Sequence, residues 1–463
     1  MQTQDRQVID EVLAVTDIVE IVGAVLELKP AGGDRLKAKC PFHNEKTPSF
    51  IVSRTRQNFN CFGCGIGGDV LTFLMEHDGM NFPEALRHLA DRAGIQLPEA
   101  GVRNPDGEDM RGALLAFNKL ARAYFSHMIK EPTQGQTGRK YLDNRSLKAE
   151  TIERFDVGYA PDGWSNLLEV SQKKGYKEQV LENSGLIKRG DRGKLYDFFR
   201  NRLIFPIKDV PGNVVAFGGR DLGDSPAKYI NSPETVVYKK SKVLYGLHEA
   251  KNALRQAKYA ILVEGYFDAL RCFDAGIDNV VASCGTALTT EQAALIRRYV
   301  PEVVLVYDGD DAGIKAAMKA TGVLVAAGLA VRAMALPDNQ DPDDYIREQG
   351  AEAFKALVQA APDFVTFYIR MSQEHIGTIE GRTEVAHEVF AILQGIDDEL
   401  RIDEYLKHTA RELGLNEWAC RREYDKFRNK GFRRRAEPDE GSVRTKINRE
   451  DCVFLAALMQ DEA

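Results

Sequence analysis

Lys258-Tyr-Ala-Ile-Leu-Val-Glu264-Gly265-Tyr-Phe-Asp268 runs an apolar stretch straight into carboxylates, and the chain does this twice more. The second stretch is Val303-Val-Leu-Val-Tyr-Asp308-Gly309-Asp310-Asp311-Ala-Gly313. The third is Val331-Arg-Ala-Met-Ala-Leu-Pro337, followed by Asp338-Asn-Gln-Asp341-Pro-Asp343-Asp344. Short apolar runs bounded by Gly and Pro, with helical stretches such as 312–327 between them, predict βαβ units around a parallel sheet. Ligands of such sheets gather outside the carboxyl ends of the strands, where Glu264, Asp308 and Asp310 fall. Carboxylates brought that close repel one another unless a cation sits among them. Mg²⁺ takes a few carboxylate oxygens and keeps waters for a phosphate substrate. The pattern therefore points to metal-assisted phosphoryl or nucleotidyl transfer. One acid after a strand is an ordinary helix N-cap; acids at three successive strand ends favour the metal.

Glu264-Gly265 together with Asp308-Gly309-Asp310, on alternating strands and helices, resembles the Toprim domain. Topoisomerases, some nucleases, recombination proteins and bacterial primases share that domain, so this resemblance leaves the reaction open.

A chain of 463 residues exceeds one typical core and predicts about three domains. Its hydrophobic content of 44% and charged content of 28% are ordinary for a globular protein. No apolar run approaches the ~20 residues that span a bilayer. Met1-Gln-Thr-Gln-Asp5 has neither a basic n-region nor an apolar h-region, so a cytoplasmic compartment is expected. A net charge of −7 does not announce a nucleic-acid binder, but basic residues collect locally at 35–56, 188–242 and 421–435. The seven cysteines do not form a disulfide framework. Cys272, Cys284, Cys420 and Cys452 are scattered and read as small apolar fillers.

The other three cysteines are grouped. Cys40-Pro-Phe-His43-Asn-Glu-Lys-Thr-Pro-Ser-Phe50 and Cys61-Phe-Gly-Cys64-Gly-Ile-Gly-Gly68 flank a strand-like insert of hairpin length. Cys40, His43, Cys61 and Cys64 make two short-spaced pairs that wrap one tetrahedral ion, with Gly63 and Gly65 for the turns, which is a closed structural Zn²⁺ site. A redox role for Cys61-x-x-Cys64 lacks a thioredoxin-like βαβ context, and a surface role for His43 would place the fourth ligand elsewhere. Arg35, Lys37, Lys39, Lys46, Arg54 and Arg56, with Phe42, Phe50, Phe59 and Phe62, suit a single-strand-binding face. A solvated charged face over an aromatic core explains them too.

These two motifs resemble the zinc ribbon of bacterial replicative primases of the DnaG type, and zinc ribbon followed by Toprim is that family's order. The resemblance covers about residues 1–430. It implies an α/β multidomain fold: an N-terminal zinc ribbon (α+β), a central RNA-polymerase domain with a Toprim βαβ parallel sheet, and a C-terminal helical part. The expected divisions are a zinc-binding ribbon domain over 1–98, a linker over 99–110 and a polymerase subdomain with a basic template groove over 111–255. A Toprim catalytic subdomain over 256–345 and a helical subdomain over 346–432 come after these. Residues 433–445 read as a second linker, and 446–463 as the remnant of a helicase-binding domain.

Across 188–242, basic residues outnumber acidic ones about two to one, enough for sequence-tolerant phosphate binding. The resemblance carries DNA or nucleotide contacts onto Arg145, Arg200, Asn201, Arg202, Arg220, Lys228, Tyr229, Asn231 and Lys240. It also implies Mg²⁺ (or Mn²⁺) on Glu264, Asp308 and Asp310, assisted by Asp341 and Asp343, with Asp268 in support. Asn279-Val-Val-Ala-Ser-Cys-Gly285 predicts a further strand and turn before a helix opened by Thr289 or Thr290; its free N–H groups could hold a phosphate, or simply be capped. The helices of 346–432 read as packing elements without chemistry, and the basic run 421–435 either touches nucleic acid or is solvated.

The expected function is a primase that makes short RNA primers on single-stranded DNA from ribonucleoside triphosphates, for DNA replication. A Toprim topoisomerase or nuclease would need a cleavage body the chain has no room for, and a zinc-dependent scaffold would leave the carboxylates idle. The replicative helicase is the family's partner, but with little docking domain in 446–463 no response to it is expected.

Overall fold

The structure is a computed structural model that describes residues 9, 11–43, 45, 47–78, 80, 82–95, 105–285, 287–307, 311–337 and 340–436. The chain forms two compact units, residues 1–368 and 369–463.

The first unit opens with an antiparallel sheet of β1 (Lys29–Pro30), β2 (Arg35–Ala38), β3 (Phe50–Ser53), β4 (Asn58–Cys61) and β5 (Gly67–Gly68), in that spatial order. Helices Ile18–Gly23, Val70–Asp78 and Phe82–Ala93 cover it. Phe50, Phe59 and Phe73 are almost fully buried beneath the sheet, with Phe50 and Phe59 stacked at 5.1 Å. These aromatics are therefore core. Of the rings proposed to stack bases, Phe62 alone is exposed, and it shares the surface with exposed Arg35, Lys37, Lys39, Arg54 and Arg56. Asp78 ties this module to later parts of the unit: its carboxylate takes Lys251 Nζ at 2.9 Å and its carbonyl takes the Tyr299 hydroxyl at 2.5 Å.

The linker expected over 99–110 is cut short, because a long helix, Pro105–Lys130, begins inside it. After helices Gln136–Arg145 and Ala149–Arg154 the chain turns largely to strands: β6 (Gly158–Ala160), β7 (Ile187–Arg189), β8 (Leu195–Asp197), β9 (Arg202–Lys208), β10 (Val214–Asp221) and β11 (Tyr229–Asn231). Four of them form an antiparallel sheet in the order β11-β10-β9-β6, while β7 and β8 pair as a two-stranded ribbon.

The four-stranded parallel sheet predicted from the carboxylate-ended runs is present, with strands β12 (Tyr259–Val263), β13 (Val280–Ala282), β14 (Glu302–Tyr307) and β15 (Ala330–Ala335). Its spatial order is β13-β12-β14-β15. The chain leaves β12 towards one edge and returns to the other side, so the connection reverses between β12 and β14. Crevices at such reversals are where α/β sheets bind ligands. Ile261, Leu262, Val263, Val303, Val304 and Leu305 are all at most 3% exposed, as a strand covered on both faces requires. Thr289 caps helix Thr290–Arg297, accepting from Gln292 N while Gln292 answers to Thr289 N; this settles the segment after β13 as a reciprocal cap.

The second unit is helical: Ile379–Leu393, Glu399–Leu413 and Glu417–Ala436, each of the first two opened by a side-chain cap, Thr378 and Asp398 respectively. Within the basic run, Arg421 pairs with Asp403 and Arg428 with Glu399, so these two charges are satisfied internally. No described helix is long and apolar enough to cross a membrane.

Candidate active site

Cys40, His43, Cys61 and Cys64 converge as expected: their ligand atoms all lie within 4.8 Å of one another. Cys40 Sγ is 3.8 Å from Cys64 Sγ, and Cys61 Sγ is 3.8 Å from His43 Nδ1. A tetrahedron with Zn–S bonds of 2.3 Å has edges of about 3.8 Å, so the donor set fits a zinc ion. Despite burial, the Cys61 thiol is held down to about 6 by its hydrogen bond with Ser49 Oγ and by those from the N–H groups of Cys64 and Gly63. Burial pushes Cys40 up to about 12. Gly63 serves closeness rather than a turn, since a Cβ there would meet His43 Nε2 at 2.5 Å, whereas Gly65 does take positive φ, +78°. Glu45 is a supporting residue that spacing alone did not single out. It accepts from Cys40 N at 2.7 Å and Ser49 N at 3.0 Å, and lies 3.3 Å from His43 Nε2. A carboxylate on the far nitrogen of a ligating histidine fixes the ring and its tautomer.

At the parallel sheet, Glu264 follows β12 and its carbonyl takes Cys284 N at 2.9 Å. Asp308 and Asp310 follow β14, the adjacent strand, and lie outside the described residues. Asp268 caps its own helix: its Oδ2 accepts from Gly265 N at 2.8 Å, and a Cβ on Gly265 would meet that same oxygen at 2.8 Å. Glycine after Glu264 is thus dictated by the cap. Asp341 caps helix Pro342–Gln349 through Asp344 N at 2.7 Å. Burial, then the charges of Asp344 and Asp343, raise its carboxyl above the usual carboxylate range, a crowding that a cation relieves.

Asp343 departs from the expected metal shell. It is fully buried, its Oδ1 accepts from Arg271 Nε at 2.7 Å, and its Oδ2 accepts from Arg145 Nη1. Two positions into its helix, it faces inward, whereas Asp344 beside it is half-buried and pairs with Arg347. Both oxygens of this carboxylate are engaged by guanidiniums in this arrangement.

A ladder of rings and guanidiniums runs from Phe267, next to Asp268, to Tyr229 on β11. Arg145 lies 5.0 Å over Phe267 and 5.8 Å over Tyr141, and Arg220 lies 5.6 Å over Tyr141 and 5.0 Å over Tyr229. Arg220 Nε is buried without a hydrogen-bond partner among the described residues. Asn231 donates to Cys284 O at 3.1 Å and accepts from Tyr266 at 2.6 Å, which joins β11 to the acidic edge. Lys228 is exposed, while Lys240 donates its backbone N–H to Glu234 at 3.0 Å. Asn201 holds positive φ, 45°, and takes the Tyr159 hydroxyl at 2.8 Å, so it shapes a turn.

Arg202 departs from the expected groove. It is 5% exposed and donates to Gly219 O, Ala227 O and Ser225 Oγ, with Asp221 at 3.4 Å. Both faces of β9 are buried, so this arginine welds strands together rather than meeting solvent. Arg200, two residues earlier, is half-buried and stacks 4.1 Å over Trp164 and 5.4 Å over Tyr196. Trp164 is 66% exposed and was not among the expected contacts; a large exposed ring beside a stacked arginine suits a base-stacking platform.

With that geometry in place, comparison with known proteins is direct. Residues 4–104 match a CHC2 zinc finger, 124–251 the N-terminal domain of the DNA primase catalytic core, and 261–346 a Toprim-like domain. The DNA primase of Halalkalibacterium halodurans is 39% identical over 432 residues, covering 90% of this chain and 70% of that one. The chain belongs to the bacterial DnaG-type DNA primases. It is a nucleotidyltransferase that synthesises RNA primers for DNA replication. A crystal structure of the Aquifex aeolicus primase, zinc-binding and RNA polymerase domains, is similar with a TM-score of 0.61 and 33% identity, over 89% of this chain and 98% of that one. A DnaG primase catalytic domain bound to single-stranded DNA is similar with a TM-score of 0.61 and 32% identity, over 67% of this chain and 99% of that one. Residues 366–417 match the DnaB-helicase binding domain of primase. That match revises the reading of 346–432 as packing alone with docking left to 446–463, which lies outside the described residues.

Proposed function

We propose that the primase extends RNA on a single-stranded DNA template at the crevice between β12 and β14, joining ribonucleoside triphosphates with release of pyrophosphate. The observation that carries this reading is the topological reversal between two strands that end on Glu264 and on Asp308-Gly309-Asp310. Mg²⁺ or Mn²⁺ held by Glu264, Asp308 and Asp310, near Asp341, supplies charge neutralisation for the phosphates. Asp268 fixes the turn that carries Glu264. Arg145, Arg220, Lys228 and Lys240 offer positive charge to phosphates, and Tyr229 and Asn231 line the same edge. No side chain is needed as nucleophile, because positioning and charge carry phosphoryl-transfer catalysis. Incorporation of labelled ribonucleotides on a plain single-stranded template tests the reading; template-dependent cleavage without incorporation would overturn it.

The template is placed over Trp164 and Arg200, with the zinc module's Phe62 and its exposed cations as a second contact. Trp164→Ala is expected to weaken single-strand affinity by about 1–3 kcal/mol, roughly 5- to 150-fold, with no change in zinc content. An unchanged binding isotherm by fluorescence anisotropy would remove the platform.

Helicase docking is assigned to the second unit, on the match of 366–417 to the helicase-binding model. Co-elution of a DnaB-type helicase with this chain on a sizing column, and stimulated priming, are the expected results. Independence from helicase in both assays would overturn this assignment.

A further inference from the structure

Arg271 lies on helix Tyr266–Asp274, one turn past Asp268, and its side chain is 6% exposed. Nε donates to Asp343 Oδ1 at 2.7 Å, Nη1 to Ser146 O at 3.2 Å and Asp274 Oδ2 at 3.4 Å, and Nη2 to Arg145 O. One planar fork therefore holds the end of helix Gln136–Arg145, the start of helix Pro342–Gln349 and its own helix. Asp274 in turn accepts from Lys148 N and Thr151 Oγ1, both at 2.8 Å, so the same side chain pins the next helix as well.

Arg145 closes this set differently. Its guanidinium also reaches Asp343, but its side chain is 24% exposed and faces the ring ladder. Asp343 thus has one fixed partner and one on the solvent side. A buried carboxylate stripped of its only cation would cost several kcal/mol, and that cost would trap a lone arginine on it. With Arg271 in place, Asp343 stays paired when Arg145 leaves.

We propose that Arg271 is a positioning residue for priming: it fixes the backbone under Arg145 and shares Asp343 with it, which frees the Arg145 guanidinium to bind a phosphate. This rests on the reading of Arg145 as a phosphate contact. The phosphate belongs to the template backbone or to the incoming nucleotide. Lysine does not replace Arg271 fully, since an ammonium lacks the planar fork that spans Asp343 and two carbonyls.

The test is a cycle of Arg271→Met, Arg145→Met and the double variant, with Arg271→Lys as the conservative arm. Template affinity is measured by anisotropy on the zinc-loaded protein, without Mg²⁺ or nucleotide, and KM and kcat for ribonucleotide on a saturating template. Arg271→Met is expected to raise the template Kd or the nucleotide KM by about tenfold or more, and which constant moves identifies the phosphate. Saturated kcat should change by less than about threefold, as for binding shared by ground and transition states. In the Arg145→Met background the same substitution should move that constant by less than about twofold. Arg271→Lys should fall between wild type and Met, and it carries the comparison if the Met variant does not fold. Equal losses in both backgrounds, or a fall in kcat alone, would show a merely structural residue and overturn the proposal. If Arg145→Met itself leaves Kd and KM unchanged, the phosphate-contact reading fails first, and the proposal with it.

Discussion

Glu264→Gln is expected to abolish primer synthesis while leaving the template bound. The substitution keeps the shape of the side chain and removes its charge at the reversal between β12 and β14, where the adjacent strand delivers Asp308 and Asp310. Loss of a carboxylate that holds the divalent cation should cost at least about 10²-fold in kcat/KM, since even outer partners of metal ligands cost 10- to 100-fold. The fold should survive, because the contacts that set the turn are made by backbone and by Asp268: Cys284 N reaches Glu264 O at 2.9 Å, and Gly265 N reaches Asp268 Oδ2 at 2.8 Å. Trp164 and Arg200 lie in loops outside the parallel sheet, so anisotropy with single-stranded DNA should match wild type. Near-normal yield of labelled primer at ordinary Mg²⁺ would mean that the acids at this edge are helix caps and nothing more.

The parts of the fold legible in the sequence are those that its patterns encode. Apolar runs ending on acids give strands and their carboxyl ends, and the parallel sheet has that form. Two short-spaced Cys/His pairs give a ligand set, and the four donors meet. Charge, by contrast, does not encode direction. Asp341, Asp343 and Asp344 look alike in Asp-Pro-Asp-Asp, yet one caps a helix, one is buried between Arg145 and Arg271, and one pairs with Arg347 near the surface. The helical phase of the first turn decides among them, and nothing in a run of four residues reveals it.

Arg200 and Arg202 make the same point at the start of a strand. A strand running through both would put them on one face, but β9 starts only at Arg202; Arg200 stacks on Trp164 in the preceding loop while Arg202 is enclosed by Gly219, Ala227 and Ser225. The turn at Asn201, with its positive φ of 45°, breaks the alternation between them. Burial pulls the Arg202 pKa down, with Asp221 working against that, which marks a structural cation rather than a ready phosphate ligand. Trp164 escaped notice for a simpler reason. A single aromatic in a Gly-Trp-Ser loop has no periodicity, and only its 66% exposure and its stacked arginine give it away. Glu45 escaped likewise, since a carboxylate that supports a histidine is visible only once His43 Nε2 is seen 3.3 Å from it.

Cys61→Ser is expected to empty the zinc site and unfold the first module while the parallel sheet persists. Cys61 is fully buried, lies 3.2 Å from Ser49 Oγ, and accepts from Gly63 N at 3.4 Å and Cys64 N at 3.5 Å. A hydroxyl in its place keeps the volume approximately but is a far poorer zinc ligand, and closed structural sites depend on all four donors. Binding of a structural zinc contributes on the order of 10 kcal/mol to folding of a small domain, more than most domains have to lose. The sheet β1 to β5 has few residues per strand, and its core ring Phe50 pairs directly with Cys61 across β3 and β4. Zinc content should fall from one ion per chain to near none, and limited proteolysis should remove residues before about 105. The remainder should keep its melting transition, because β9, β10, β12 and β14 bury separate cores. Initiation should collapse with the module's exposed cations and Phe62 gone from the template path, whereas extension of a preformed primer should be reduced far less. A variant that retains one zinc and resists protease would show that Cys61 is not a ligand. Loss of extension and initiation in equal measure would show that the module supports the active site itself, through the Asp78 contacts to Lys251 and Tyr299, rather than the template alone.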